Sequence, residues 1–565
     1  MNAALNWVIL SCCAGLAPLF AENNGFPDFG RNYGRSMVIS QQGIAATSHP
    51  LASSDAAQIL AHGGSAADAA IAANAVLAVV EPMKNGLGGD LFMLYWDAAT
   101  GKLSGVNASG ASPGALTPQF LADKGVKSMP QEGIHSVTIP GAVDGWALVH
   151  ARFGRLPWPD LFAAAIRYAE QGFVVTEAIS ESWNERENLR KIRAYPETAR
   201  VYLPGGRPLA QGELFRNPDM GRALRHIATQ GRQAMYEGPI AAAILKTSQG
   251  FGGTLTAPEL SAFNSEWVDP VSIDYRGWKV YELPPNSQGI AALEMLNIME
   301  VTPAAPQGPF SPAEMHKRIE AMKLSYSDIR RYNADPRTYA APVSRLISKE
   351  YARQRAALID PQRAKKDVPP GQAIGSDTTY LAIVDRQGNI ASWIQSLYSE
   401  FGSGITVEGM GFLLQNRGGG FTLEAGHPNV LAGGKRPFHT IIPAFMERGD
   451  VHIGFGIMGG ANQPLAHAQF VSNLVDYGMN LQAALEAPRF TKRNSEGIDI
   501  SIEKRVPAAT LDQLSAMGHE VLIRREYTQE MGRGQAVLRN TATGLNSAAS
   551  DPRADGAATP EPVVP

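Results

Sequence analysis

The stretch Thr378–Ser396 constrains this chain more than any other. Two apolar runs, Tyr380-Leu381-Ala382-Ile383-Val384 and Ile390-Ala391-Ser392-Trp393-Ile394, flank Asp385-Arg386-Gln387-Gly388-Asn389. That loop has the signature of a three-residue hairpin connection with Gly388 in the left-handed position. Pairing Asp385 with Asn389 and counting outward sets Thr378 opposite Ser396, with Cβ atoms about 4.5–5.5 Å apart. An ordinary Thr–Ser cross-strand pair would look the same. What distinguishes Thr378 is its place, in a polar Asp377-Thr378-Thr379 step directly before an apolar strand. A mid-chain threonine is a poor nucleophile. If the Asp377–Thr378 bond is cut, the freed α-amine becomes the hydroxyl's own base, with a pKa of roughly 7.7–8.0. The polar, Pro-rich segment Lys365–Gln372 lies just upstream. It is expected to be exposed and suited to separating two new chain ends.

The 565 residues, 44% hydrophobic and 18% charged, support a large core rather than disorder. A net charge of −3 provides no basic field for nucleic acid. The cysteines are Cys12 and Cys13, both inside the apolar stretch Trp7–Phe20. With Leu19-Phe20-Ala21 before Glu22, residues 1–21 read as a secretory signal, too short for a membrane span. A disordered or core N-terminus is the alternative. A mature chain from residue 22, periplasmic or secreted, would hold no cysteine, which excludes thiol catalysis, disulfides and Cys-ligated zinc.

Ser53–Pro82 reads as two packed Ala-rich helices broken at Gly63-Gly64, followed by Gly86–Asp90 and an apolar strand Leu91–Trp96. Those glycines lack the strand-GxGxxG-helix context, and no GxxxxGK[ST] is present; close backbone packing is the equal alternative to a site. Residues 136–180 are expected as strand, turn and helix, and 181–365 as mostly helical with a strand near Val271–Leu283. Strands are expected to dominate after Thr378, with a frayed tail beyond Ala548. Gly459-Gly460 follows a strand and offers two successive N–H groups for an oxyanion hole, or simply a tight turn. Arg417, amid Gly418–Gly420 at the end of an expected strand Gly411–Gln415, has room to meet a carboxylate bidentately, or to make a structural ion pair.

Taken in order and spacing, Gly63–Ala69, Gly86–Asp90, Pro140-Gly141, Thr378–Asn389, Phe401–Gly404, Lys435-Arg436-Pro437, Gly459-Gly460, Asp476-Tyr477-Gly478, Ala487–Phe490 and Asp551-Pro552-Arg553 resemble the γ-glutamyltransferase family of N-terminal nucleophile hydrolases. The resemblance implies an α+β fold with four αββα layers. It implies a proenzyme that cuts itself between Asp377 and Thr378, leaving a large subunit (22–377) and a small subunit (378–565) held together. Thr378 would attack an amide carbonyl of a small-molecule substrate and carry the acyl group as an ester. Water or an acceptor amine would then release it. Gly459 and Gly460 match the oxyanion pair, Ser396 the hydroxyl residue that supports the nucleophile, and Thr379 the following threonine. No metal or organic cofactor is implied.

The substrate pocket departs from the transpeptidase pattern. The family usually holds the substrate α-carboxylate with an Arg before an Ala-Pro step, whereas Val106–Pro113 contains no Arg. The positions that usually hold the α-amine read Tyr398, Arg417 and Gly420, and the paired serines after Lys-Arg-Pro read His439 and Thr440. His439 either lines the pocket or is a polar loop residue. The segment Phe421–Lys435 is short for a lid. An acid lost at 420 and a cation gained at 417 disfavour a bound ammonium and favour a bare carboxylate. One charge-assisted pair, roughly 1.5–3 kcal/mol, can change preference more than tenfold. This pattern resembles the family's acylase and amidohydrolase branches, and the expected substrate is an amide whose acyl group carries a carboxylate, γ-glutamyl, glutaryl or similar. Glutathione hydrolysis with γ-glutamyl transfer is one alternative. A secreted binding protein on the same fold is another, although Thr378, Ser396 and the glycine pair together have no purpose in it.

Overall fold

The computed structural model describes residues 33–366, 377–492 and 497–563. The expected signal at 1–21 and the linker from residue 367 onward lie outside the described residues.

Two seven-stranded sheets form the middle of the molecule. The first runs Ala557–Pro560, Ile44–Thr47, Asp377–Val384, Ile390–Tyr398, Asp90–Asp97, Lys102–Ala108, Glu266–Val268. The second runs Val38–Ser40, Leu545–Ser550, Arg533–Asn540, Val451–Met458, Ala444–Arg448, Trp278–Glu282, Val271–Tyr275. Alternate residues of one strand feed different cores, because side chains alternate across a strand. Tyr380, Ala382 and Val384 join Phe445, Met458 and Val537 in the core between the sheets. Leu381 and Ile383 face the other way, onto the Ala-rich helices Pro50–Ala61 and Ala66–Val80. Ala444, Met446, Ile453 and Phe455 of the second sheet pack beneath Gly289–Glu300, Pro312–Tyr332 and Gln463–Val475. Three stacked apolar cores give four layers, helix, sheet, sheet, helix, as expected. They also explain why the central strands read as continuous apolar runs.

The Ala-rich pair forms where the sequence places it. Ser65 caps the second helix, and Asp68 returns its carboxylate to the Ser65 N–H at 2.9 Å in a reciprocal capping box. Gly88 and Gly89 serve close packing: a Cβ on Gly88 would sit 2.1 Å from the Leu413 carbonyl oxygen, and one on Gly89 2.5 Å from that of Ser396.

Four expectations are corrected. Residues 136–180 are mainly helical, as Ala142–Phe153 and Ala163–Gln171, with a two-residue strand at Phe173–Val174. The Gly141 and Ala142 N–H groups both donate to the Gly89 carbonyl, so this segment docks on a turn instead of joining a ladder. The strand near Val271–Leu283 is a hairpin, Val271–Tyr275 and Trp278–Glu282, turning at Arg276-Gly277. Gly411–Gln415 is no strand; Leu413 and Leu414 make isolated bridges only. The tail is not frayed. Ala557–Pro560 covers the edge of the first sheet against Ile44–Thr47, and the buried Glu561 carboxylate accepts from the Gly43 N–H at 2.8 Å and pairs with Arg386.

Candidate active site

The hairpin keeps the register its loop dictates. Gly388 has φ 90°, its N–H donates to the Asp385 carbonyl at 2.9 Å, and the pairing runs from Val384 opposite Ile390 to Thr379 opposite Gln395. Beyond Thr379 the ladder slips, and Asp377 faces Tyr398. The Asp377 side chain lies outside the described residues. At the slip the Thr378 hydroxyl donates to the Ser396 Oγ at 3.3 Å, and both residues are buried. The Ser396 Oγ also accepts from the Tyr398 N–H at 2.7 Å. Thr379 donates through Oγ1 to the Gln395 carbonyl at 3.4 Å and so braces the strand.

The second sheet delivers the glycine pair. Gly459 follows the strand Val451–Met458 with φ 141° and ψ 31°, a conformation only glycine adopts readily. The Gly460 carbonyl accepts from the Gln288 Nε2 at 2.8 Å. The Asn462 N–H donates to the Gly459 carbonyl at 3.1 Å, closing a single turn into the helix Gln463–Val475. The first helical side chain, Gln463, reaches the Thr378 Oγ1 with its Nε2 at 3.5 Å while its Oε1 accepts from the Ile442 N–H at 3.0 Å. The turn and the threonine, from different sheets, therefore meet through Gln463. Sequence reasoning missed Gln463 and Gln288. Position alone, directly after the Gly459–Asn462 turn, could have flagged Gln463; nothing local marks Gln288.

Tyr398, Arg417, His439 and Thr440 form one buried group. Tyr398 ends its strand with φ 83°, and its ring lies 4.3 Å below the Arg417 guanidinium carbon. Arg417 donates through Nη1 to the Thr440 Oγ1 at 2.7 Å. Its Nε and Nη2 are buried with no hydrogen-bond partner. Burial lowers the Arg417 pKa to about 10, opposed by Asp90 and then Tyr398. It remains a cation at neutral pH, presenting one complete two-donor edge. Gly420 sits behind this group, its carbonyl accepting from the Asn429 Nδ2 at 2.6 Å.

Asp90, which sequence reasoning passed over as the end of a glycine run, is the acid of this group. It lies opposite Ser396 across the ladder. Its Oδ1 accepts from the Gln415 Nε2 at 2.8 Å and the Gly110 N–H at 3.1 Å, and its Oδ2 lies 3.0 Å from the His439 Nε2. Burial pushes the Asp90 pKa from 3.8 up to about 7, opposed first by Arg417 and then by Gln415. Burial also holds His439 far below its usual range, with Arg417 and Arg436 adding to that, so its ring is neutral. The stretch 106–113 has no cation to offer: Asn107 and Ser109 bond each other at 2.7 Å, and Asn107 donates to the Asn286 Oδ1 at 2.9 Å.

Known proteins resemble this chain over most of its length. The family description "Gamma-glutamyltranspeptidase" matches residues 52–561. The chain is 37% identical to the glutathione hydrolase-like YwrD proenzyme of Bacillus subtilis over 526 residues, 92% of this chain and 99% of that one. It is 33% identical to the oxamate amidohydrolase proenzyme of Klebsiella pneumoniae over 534 residues, 93% and 99% of the two chains. The crystal structure of cephalosporin acylase from Bacillus halodurans superposes with a TM-score of 0.88 at 38% identity, covering 94% of this chain and 98% of that one. The chain is an enzyme of the hydrolase and acylase kind, and it belongs to the gamma-glutamyltranspeptidase family.

Proposed function

We propose that the chain is a self-processing N-terminal threonine amidohydrolase that cleaves amides whose acyl group ends in a carboxylate. Thr378, freed by cleavage after Asp377, attacks the amide carbonyl and holds the acyl group as an ester until water releases it. Its α-amine takes the hydroxyl proton and returns one to the departing amine. Ser396 and Gln463 orient the Thr378 Oγ1, and the Gly459-Gly460 turn faces the developing oxyanion. Processing into 22–377 and 378–565, and export directed by residues 1–21, belong to the same reading.

The observation that carries the substrate class is the Nε–Nη2 edge of Arg417. A guanidinium buried without a matched anion is unfavourable by several kcal/mol. A carboxylate bound across the unpartnered edge supplies two parallel charge-assisted bonds. An α-ammonium beside the same cation is repelled, so glutaryl-anilide should be hydrolysed in preference to γ-glutamyl-anilide, by at least about tenfold in kcat/KM. The two substrates differ by that one amine. A clear preference for γ-glutamyl-anilide would refute the assignment of Arg417.

Asp90 adds a pH dependence. Its carboxyl gains charge as pH rises through about 7 and then cancels part of the field of Arg417. KM for glutaryl-anilide should therefore rise with pH across that range, while kcat rises as the Thr378 amine deprotonates. Asp90→Asn should remove the rise in KM and leave the kcat profile in place; an unchanged KM profile would contradict the coupling. The same raised pKa makes the native state bind an extra proton between about pH 4 and 7. Asp90 thus favours folding at acidic pH, and that contribution is lost as pH rises through about 7.

A further inference from the structure

On the far side of the second sheet, the helix Pro312–Tyr332 carries His316 and, one turn later, Glu320 on the same face. His519, just before the strand Glu520–Arg524, meets them there. All three are buried, and one ligand atom from each lies within 4.8 Å of the others. We propose that His316, Glu320 and His519 hold one divalent transition-metal ion of the zinc class, and that this ion ties the two subunits together. The second clause rests on the processing reading, because His316 and Glu320 precede Thr378 and His519 follows it.

The cluster has the parts a metal needs. His316 Nε2 lies 2.8 Å from the Asp360 carbonyl. That bond requires a proton on Nε2 and leaves the Nδ1 lone pair facing the cluster, the usual way an outer carbonyl orients a ligating histidine. His316 Nδ1 and His519 Nε2 are 2.8 Å apart. Each needs to move only a few tenths of an ångström to accept a common ion, since two nitrogens at about 2.0–2.1 Å from tetrahedral zinc stand somewhat over 3 Å apart. The other ring nitrogen of His519, Nδ1, is buried with no hydrogen-bond partner, and coordination through Nε2 would place the ring proton there.

Glu320 supplies the third ligand. Its Oε1 accepts from the Lys323 Nζ at 2.7 Å, whereas Oε2 has only a 3.3 Å contact with the Lys365 N–H. Oε2 is the oxygen available for coordination. Lys323 Nζ also donates to the Lys365 carbonyl at 3.0 Å, so it is held on the Oε1 side by two acceptors. A two-histidine, one-carboxylate set is a zinc donor set with a position left over for water. The hydrogen bonds of the cluster run to Asp360, Lys323 and Lys365, so the ion's part is cohesion and not the reaction.

The test uses the full chain, wild type and Thr378→Ala, stripped with chelator and titrated with Co²⁺ and Zn²⁺. One equivalent should bind per chain in both, with visible cobalt absorption of a nitrogen-ligated site. His316→Gln with His519→Asn, which keeps polar side chains in place, should weaken binding by at least about a hundredfold while hydrolysis by the folded variant is unchanged. In processed wild type, zinc should raise the midpoint for separating the fragments in urea, and in the double variant it should not. Binding below one equivalent, or binding retained by the double variant, overturns the site. An uncut wild-type chain that still binds one equivalent defeats the processing reading and the tie between subunits, and leaves the metal site standing.

Discussion

Thr378→Ala is expected to run as one chain on denaturing electrophoresis and to lose hydrolysis by at least about 10⁴-fold, the scale on which losing a nucleophile acts. Both effects come from one oxygen. In the uncut chain the Thr378 Oγ1 lies between the Ser396 Oγ and the Gln463 Nε2, and in the proposed function it attacks the peptide bond on its own N-terminal side. After the proposed cut the same oxygen would meet substrate, now with an amine beside it as base. The substitution removes a hydroxyl and a methyl from a buried strand end, and the hairpin register depends on the Asp385–Asn389 loop and not on Thr378. Folding should survive, which circular dichroism would verify. Thr378→Ser should restore both activities in part. A cut Thr378→Ala chain would show that another residue performs the processing.

Arg417→Met should lower kcat/KM for glutaryl-anilide by about 10²–10³-fold, from the roughly 2.7–4 kcal/mol that a buried, hydrogen-bonded charge pair loses on truncation. A neutral butyryl-anilide should change by no more than about threefold. Most of the loss should fall on KM, because the carboxylate is held equally in the ground state and the transition state. Arg417→Lys should be intermediate: the charge remains, but the two-donor edge is gone. A second readout separates this from a structural role. Met removes a buried cation whose Nε and Nη2 have no partner, so stability should hold or rise. A structural ion pair would make Arg417→Met destabilising and would lower both substrates alike.

The parts of this site written in the sequence are those governed by local rules. The five-residue loop sets the hairpin register, and counting from it brings Thr378 to Ser396. The Gly459-Gly460 pair marks its own turn. Arg417 amid glycines reads as a cation able to meet an anion, and the fold buries it with Nε and Nη2 unpartnered, although the strand expected before it is absent. What was not legible depends on distant partners. Asp90 reads as the end of a glycine run until Gln415 and His439, more than three hundred residues away, are brought against it. Gln288 and Gln463 become site residues only when the second sheet stacks on the first. The tail looks frayed because its partner strand, Ile44–Thr47, is at the other end of the chain. Val271–Leu283 reads as one strand because the turn at Arg276 and Gly277, with φ 50° and 81°, is marked by a single glycine only.

In the proposed function a cut before Thr378 creates the nucleophile. Intact-mass analysis of wild-type protein, quenched in acid during turnover of glutaryl-anilide, tests it most directly. Two fragments are expected, the smaller beginning at Thr378 and partly shifted by the mass of one glutaryl ester, with the ester on its first residue. A single uncut chain that is nonetheless active, a small fragment with another first residue, or an acyl group carried elsewhere would contradict it.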